Sequence, residues 1–281
     1  MAHLTSISGG GAFTRQNITD INNNFTAVSE PDIWVRPQYG NDHNVGSYDK
    51  PFATMAGCAT AIEPGLTIGL LGVLFEEFDA PIVNDVTIVG MGNRPRQATT
   101  SGAANGGGAT WLSPTSGAAS LLGINGQAWK IQNIYFNNTA TSATTGCIKI
   151  TGGGDPPLTA DGGHTVIDGC VFTGEANGIY INGGPGFLRI TNNVFYFFDT
   201  SGDCAILAGG SGGTGYGSYV ADNVFAANLT HLKPLATAYG WEITRNRFSY
   251  IDAGVTTSVQ IDLTGANNNS IHDNAFDVPF N

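Results

Sequence analysis

Ile190-Thr191-Asn192-Asn193-Val194-Phe195 decides the reading of this chain, because its pattern recurs. A branched aliphatic five residues ahead of a phenylalanine returns at Ile131–Phe136, Ile167–Phe172, Val220–Phe225, Ile243–Phe248 and Ile271–Phe276. Asn193, Asn223, Asn246 and Asn274 each stand two places before the Phe. Successive Phe positions lie 36, 23, 30, 23 and 28 residues apart. A period in this range marks a solenoid, where each unit buries its apolar face only against its neighbours.

A second strip shares the period. It reads Cys147-Ile148-Lys149-Ile150-Thr151-Gly152, Gly178-Ile179-Tyr180-Ile181-Asn182-Gly183, Ala205-Ile206-Leu207-Ala208-Gly209 and Val259-Gln260-Ile261-Asp262-Leu263. Alternation over four or five residues followed by glycine or a turn is the pattern of a half-buried strand. With no helical period between the strips, two short strands per repeat are expected, stacked in parallel at roughly 4.8 Å per turn. Like positions then stack on like. Phe136, Phe172, Phe195, Phe225, Phe248 and Phe276 should form an internal ladder, and the asparagines a turn ladder. The fold class expected is all-β, a right-handed parallel β-helix of about eight turns.

Composition agrees with a turn-rich chain: glycine reaches 40 of 281 residues while charged residues are 12%. The net charge of −11 excludes a nucleic-acid partner, since phosphate binding needs clustered Lys and Arg and no basic run exists. Cys58, Cys147, Cys170 and Cys204 lack metal-ligand spacing and read as buried free thiols. His164, His231 and His272 are equally dispersed, so neither metal nor cofactor is expected. The opening MAHLTSISGGG has no charged stretch leading into an apolar one, so no secretory leader is expected. No apolar run approaches the roughly 18 residues of a membrane span.

Three regions follow. In residues 1–30, Ile18, Ile21, Phe25 and Val28 fall on one face at helical spacing, giving a short amphipathic arm. Residues 31–65 carry Ile33-Trp34-Val35, Gly40-Asn41-Asp42, Lys50-Pro51-Phe52-Ala53-Thr54 and a helix-like Met55–Ile62. Residues 66–281 hold the repeats, with Thr67–Leu71 and Val86–Gly90 expected in the first turn, and Ala109–Leu112 and Leu121–Ile124 in the second.

The 31–65 segment resembles the opening of pectate-lyase-like parallel β-helix proteins. That resemblance implies a strand, a Gly-Asn-Asp loop, and a short helix that plugs the end of the solenoid. Thr14–Phe25 is similar to N-terminal segments of bacteriophage structural proteins. Together these imply a virion protein of the tailspike, short tail fibre or head decoration type. It would be made in the host cytoplasm, displayed outside the particle as a homotrimer, docked to other virion proteins through residues 1–30, and able to meet host surface polysaccharide.

The superfamily includes lyases and glycoside hydrolases, but their motifs are unmatched. Val166-Ile167-Asp168 is followed by Gly169 where the lyase pattern has His, and the Gly-His-Gly and Arg-Ile-Lys of polygalacturonases are missing. A tailspike-type polysaccharide depolymerase is the alternative, for which register offers Glu175, Asp199 and Asp252 as acid and base. Asp222 and Asp273 read as turn formers, and Trp129 and Trp241 as packing residues. Tyr216 and Tyr219, beside a glycine-rich insertion, are the candidate recognition aromatics.

Overall fold

The computed structural model describes residues 30–92, 108–114, 119–152, 162–198, 202–209, 216–234, 239–249, 259–264, 266 and 268–277. The arm with Ile18, Ile21, Phe25 and Val28 lies outside these residues, as do Asp199 and Asp252.

The chain winds as a parallel β-helix with three faces, formed among the described residues by sheets of nine, eight and seven strands. Ile131, Ile167, Ile190, Val220, Ile243 and Ile271 align in the nine-stranded sheet. The phenylalanines align in the eight-stranded sheet, from Phe136 to Phe276. The second strip forms the seven-stranded sheet, with Ile148, Ile179, Ile206, Leu232 and Ile261 in register. Each turn therefore carries three strands, not the two expected from sequence.

Parity is the physical reason. In one straight strand, residues five apart point to opposite faces. Both ends of the Ile-to-Phe stretch point inward because its third residue is left-handed, at Asn133 (φ 57), Gly169 (φ 66), Asn192 (φ 58), Asp222 (φ 60), Arg245 (φ 53) and Asp273 (φ 56). That kink moves the chain from one sheet to the next. Asn, Asp and Gly tolerate this conformation best, so Asp222 and Asp273 are turn formers as expected. A second correction concerns the start. Thr67–Leu70 and Thr87–Gly90 pair through Ile68 and Ile88, so they belong to successive turns of one sheet.

The phenylalanine ladder stacks nearly face to face. Ring centroids are 5.3, 4.8, 5.0, 4.9 and 5.0 Å apart from Phe136 to Phe276. Trp111 extends it at 5.8 Å from Phe136 and donates its indole N–H to the Glu76 carbonyl. Trp129 and Trp241 are buried in the core, where packing roles were expected. The four cysteines are buried and free, and burial pushes each thiol up to about 12.

At the N-terminal end, Asp42 Oδ1 accepts the backbone N–H groups of Ala53 and Thr54, and its Oδ2 accepts the Thr54 hydroxyl. Thr54 then caps the helix Met55–Cys58 by accepting the Gly57 N–H at 2.9 Å. The Glu76 carboxylate accepts the N–H groups of Met55 and Ala56, both at 2.8 Å, tying the helix to the first full turn. Burial holds the Glu76 carboxyl above its ordinary value. Met55, Cys58 and Ile62 join the same core cluster as Ile33 and Val35.

Candidate functional site

Of the three carboxylates that register offered, Glu175 is exposed in the turn after Val171–Gly174, with its backbone N–H donated to the Asn138 carbonyl. Asp199 and Asp252 lie outside the described residues. Three other carboxylates are tied to cations. Asp222 meets Arg245 at 2.8 Å, Asp277 meets Arg247 at 2.9 Å, and Asp262 meets Lys233 at 3.1 Å. The bond from Arg245 holds Asp222 below its ordinary value, and the Ser249 hydroxyl does the same for Asp277. A general acid in glycoside hydrolysis needs the opposite shift. Among the described residues no cluster of His, Cys, Asp and Glu is placed to hold a metal.

Tyr216 and Tyr219 lead to a different surface. Tyr219 lies on the outer face of the nine-stranded sheet, with the Arg189 guanidinium over its ring at 5.1 Å. Arg245 donates to its hydroxyl at 2.6 Å and forms a bidentate pair with Asp222. One turn on, His272 sits between Glu242 at 3.5 Å and Asp273 at 2.9 Å. The Asp273 bond raises its pKa. This face is a band of matched charges around one tyrosine.

Tyr216 belongs to the corner that leads into the same sheet. Three residues ahead of each inward aliphatic, that corner has left-handed backbone: Asp85 (φ 58), Ala128 (φ 58), His164 (φ 58), Phe187 (φ 59), Gly217 (φ 58), Gly240 (φ 70) and Asn268 (φ 53). Glycine, asparagine and aspartate suit this position. A phenylalanine there is strained by roughly 1–2 kcal/mol. Phe187 is nevertheless 55% exposed, with its ring over Gly217 and stacked on His164 at 5.0 Å. Its N–H donates to the Tyr216 carbonyl, and the Gly217 N–H donates to the Tyr239 carbonyl. The exposed rings of Tyr216 and Tyr239 meet edge to face at 6.2 Å.

His164, Phe187, Tyr216 and Tyr239 thus form an exposed aromatic ridge along four successive turns. Sequence reasoning found Tyr216 and missed the others. The signal available was Phe187 itself, standing where the later repeats have Gly217 and Gly240.

No family model and no curated protein matches the chain. Among solved structures it is similar to the Escherichia coli protein YbhC, with a TM-score of 0.58 and 14% identity over 88% of this chain and 72% of that one. A GH136 lacto-N-biosidase from Eubacterium ramulus aligns over 93% of this chain and 71% of its own, at 9% identity and a TM-score of 0.31. The likeness to YbhC shows a shared fold, the parallel β-helix.

Proposed function

We propose that the protein is a bacteriophage virion structural protein, a β-helical surface spike of the tailspike, short tail fibre or head decoration kind. Its solenoid is right-handed, as parallel crossovers almost always are. The Met55–Cys58 helix closes its N-terminal end, shielding apolar core and unpaired strand edges. Residues 1–30 dock it to other virion proteins, and copies associate as a parallel homotrimer on the particle exterior. The resemblance of Thr14–Phe25 and of residues 31–65 supports this placement.

The observation that carries the contact role is Phe187. A bulky apolar side chain exposed on strained backbone, where glycine serves the two following turns, costs stability and returns nothing to the core. It suits a surface that meets something else, here the host surface. The depolymerase alternative has less support, because Asp222, Asp262 and Asp277 are held ionised by their partners, while Glu76, whose pKa is raised, is occupied by the Met55 and Ala56 N–H groups. Adsorption to host cells of particles carrying Phe187→Gly tests the contact role. A loss of adsorption with normal particle yield is expected; unchanged adsorption contradicts it.

A further inference from the structure

His231 is a titratable side chain inside the solenoid, 1% exposed, where the eight-stranded sheet turns into the seven-stranded one. Registers of the following residues align it with Cys147, Gly178 and Ala205 of earlier turns and Gln260 of the next. Small residues fill that column first: a Cβ on Gly178 would stand 2.9 Å from the Phe195 ring. His231 instead places an imidazole 5.8 Å from the Phe225 ring and 5.7 Å from the Phe248 ring.

Its hydrogen bonding fixes one tautomer. Asn228 Oδ1 accepts the Phe198 N–H, and Asn228 Nδ2 donates to the Phe195 carbonyl, both at 3.1 Å. With the amide so oriented, its Nδ2 also donates to His231 Nδ1 at 2.9 Å, and the ring proton is on Nε2. Among the described residues, Nε2 is buried with no hydrogen-bond partner, and so is Oε1 of Gln260. A second proton could enter only at Nδ1, where it would face the Asn228 amide hydrogens and break that bond.

The ionisable groups on the surrounding elements are Asp203 and Cys204, which precede Ile206–Gly209, and Lys233 and Asp262, which are occupied with each other at 3.1 Å. Arg247, beside Phe248, is paired outside with Asp277 at 2.9 Å. The tilted Phe225 and Phe248 rings offer a cation only a weak attraction. Burial outweighs them and lowers His231 to about 4.

Among the described residues, Glu242–Thr244, Arg247–Ser249, Val259–Ile261, Ser270–His272 and Ala275–Phe276 follow His231. Ile271 and Phe276 in these turns are exposed. Turns of a solenoid are held by nearest neighbours, so a section with exposed apolar positions can open apart from the rest.

We infer that His231 is an acid-sensitive latch, whose protonation at Nδ1 opens this corner and releases the turns from Tyr219 onward while earlier turns stay closed. The sign follows from linkage. A histidine whose folded pKa lies below its unfolded value contributes stability at neutral pH that is lost as pH falls from about 6.5 toward 4. His272 has the opposite sign: its raised pKa adds stability at low pH that is lost as pH rises. It therefore cannot mimic the latch.

Hydrogen exchange, corrected for intrinsic rate, tests this between pH 7 and about pH 4.5. The amides of Glu242–Thr244 and Arg247–Ser249 should exchange on the order of 50-fold faster at the lower pH, while Val166–Asp168 and Val171–Gly174 keep their protection. His231→Gln should remove that acid step, and His272→Gln should not. If His231→Gln and His231→Leu both fail to fold, an imidazole NMR titration of the wild-type chain decides. A titration below about pH 5 that coincides with opening of the C-terminal turns supports the latch. Loss of protection at the same pH in His231→Gln, uniform opening of all turns, or a His231 that titrates near 6.5 overturns it.

Discussion

Asn223 Oδ1 accepts two hydrogen bonds from Asn193 one turn away, from the backbone N–H at 2.9 Å and from Nδ2 at 3.1 Å. Asn223 in turn donates from Nδ2 to the Ile190 carbonyl at 2.9 Å and to Asn246 Oδ1 at 3.0 Å. Asn246 repeats the arrangement with Asn274, and Asn193 begins it by accepting the Cys170 N–H. Asn193, Asn223 and Asn246 are buried, so each amide satisfies backbone groups that the kink between sheets would leave orphaned.

Replacing Asn223 with Ala removes the partner of the buried Asn193 N–H and one partner each of the Asn193 amide, the Ile190 carbonyl and Asn246 Oδ1. The Asn193 amide keeps the Ile167 carbonyl, and Asn246 Oδ1 keeps the backbone N–H of residue 223. The expected loss is about 2–4 kcal/mol in denaturant unfolding, larger than for one ordinary hydrogen bond. A loss below about 0.5 kcal/mol would mean that the ladder contributes no stability.

Phe195→Ala removes an interior ring stacked at 4.8 Å on Phe172 and 5.0 Å on Phe225. A cost of about 3–5 kcal/mol is expected from the cavity and lost transfer energy. An unchanged melting temperature would contradict the internal ladder.

Phe187→Gly should behave in the opposite way. Glycine relieves a strain of roughly 1–2 kcal/mol, against about 0.5–1.5 kcal/mol lost with the His164 stack. Thermal unfolding should therefore show stability unchanged or slightly raised. Destabilisation like that of Phe195→Ala would make Phe187 a packing residue and weaken the case for a contact surface.

The ladder and the solenoid were legible because Phe195, Phe225 and their counterparts repeat at one spacing, and stacking forces like residues into register. The third strand per turn was not seen, although its mark was present. Five residues separate Ile190 from Phe195, an odd number, so both cannot face inward along a straight strand; Asn192 and Asp222 mark the kink. The ridge was half legible. Tyr216 stood out beside glycines, but Phe187 could be placed at a left-handed corner only once the register of neighbouring turns was known.

Asp42 and Gly57 form a coupled pair at the N-terminal end. A Cβ on Gly57 would run into the Asp42 carboxylate, which also holds Ala53 and Thr54. Asp42→Ala should cost about 1–3 kcal/mol, and Gly57→Ala should be markedly less damaging in that background than in the wild type. Additive costs in a double-mutant cycle would contradict the pairing.

Changing Glu175, Asp199 and Asp252 together to amides should leave the size distribution of host envelope polysaccharide as it is with the unaltered protein, undegraded. Shortened oligosaccharides with the wild-type chain, lost in the triple variant, would establish the depolymerase alternative.

The most direct test of the proposed spike is to locate the protein on particles. Density-banded virions from the culture that produces it would be labelled with gold-conjugated antibody to the solenoid, alongside virions whose copy lacks residues 1–30, with the truncated protein first checked for folding by circular dichroism. The account predicts exterior label on intact virions and none on the truncated set. Absence of the protein from banded virions, or full incorporation without residues 1–30, would contradict it.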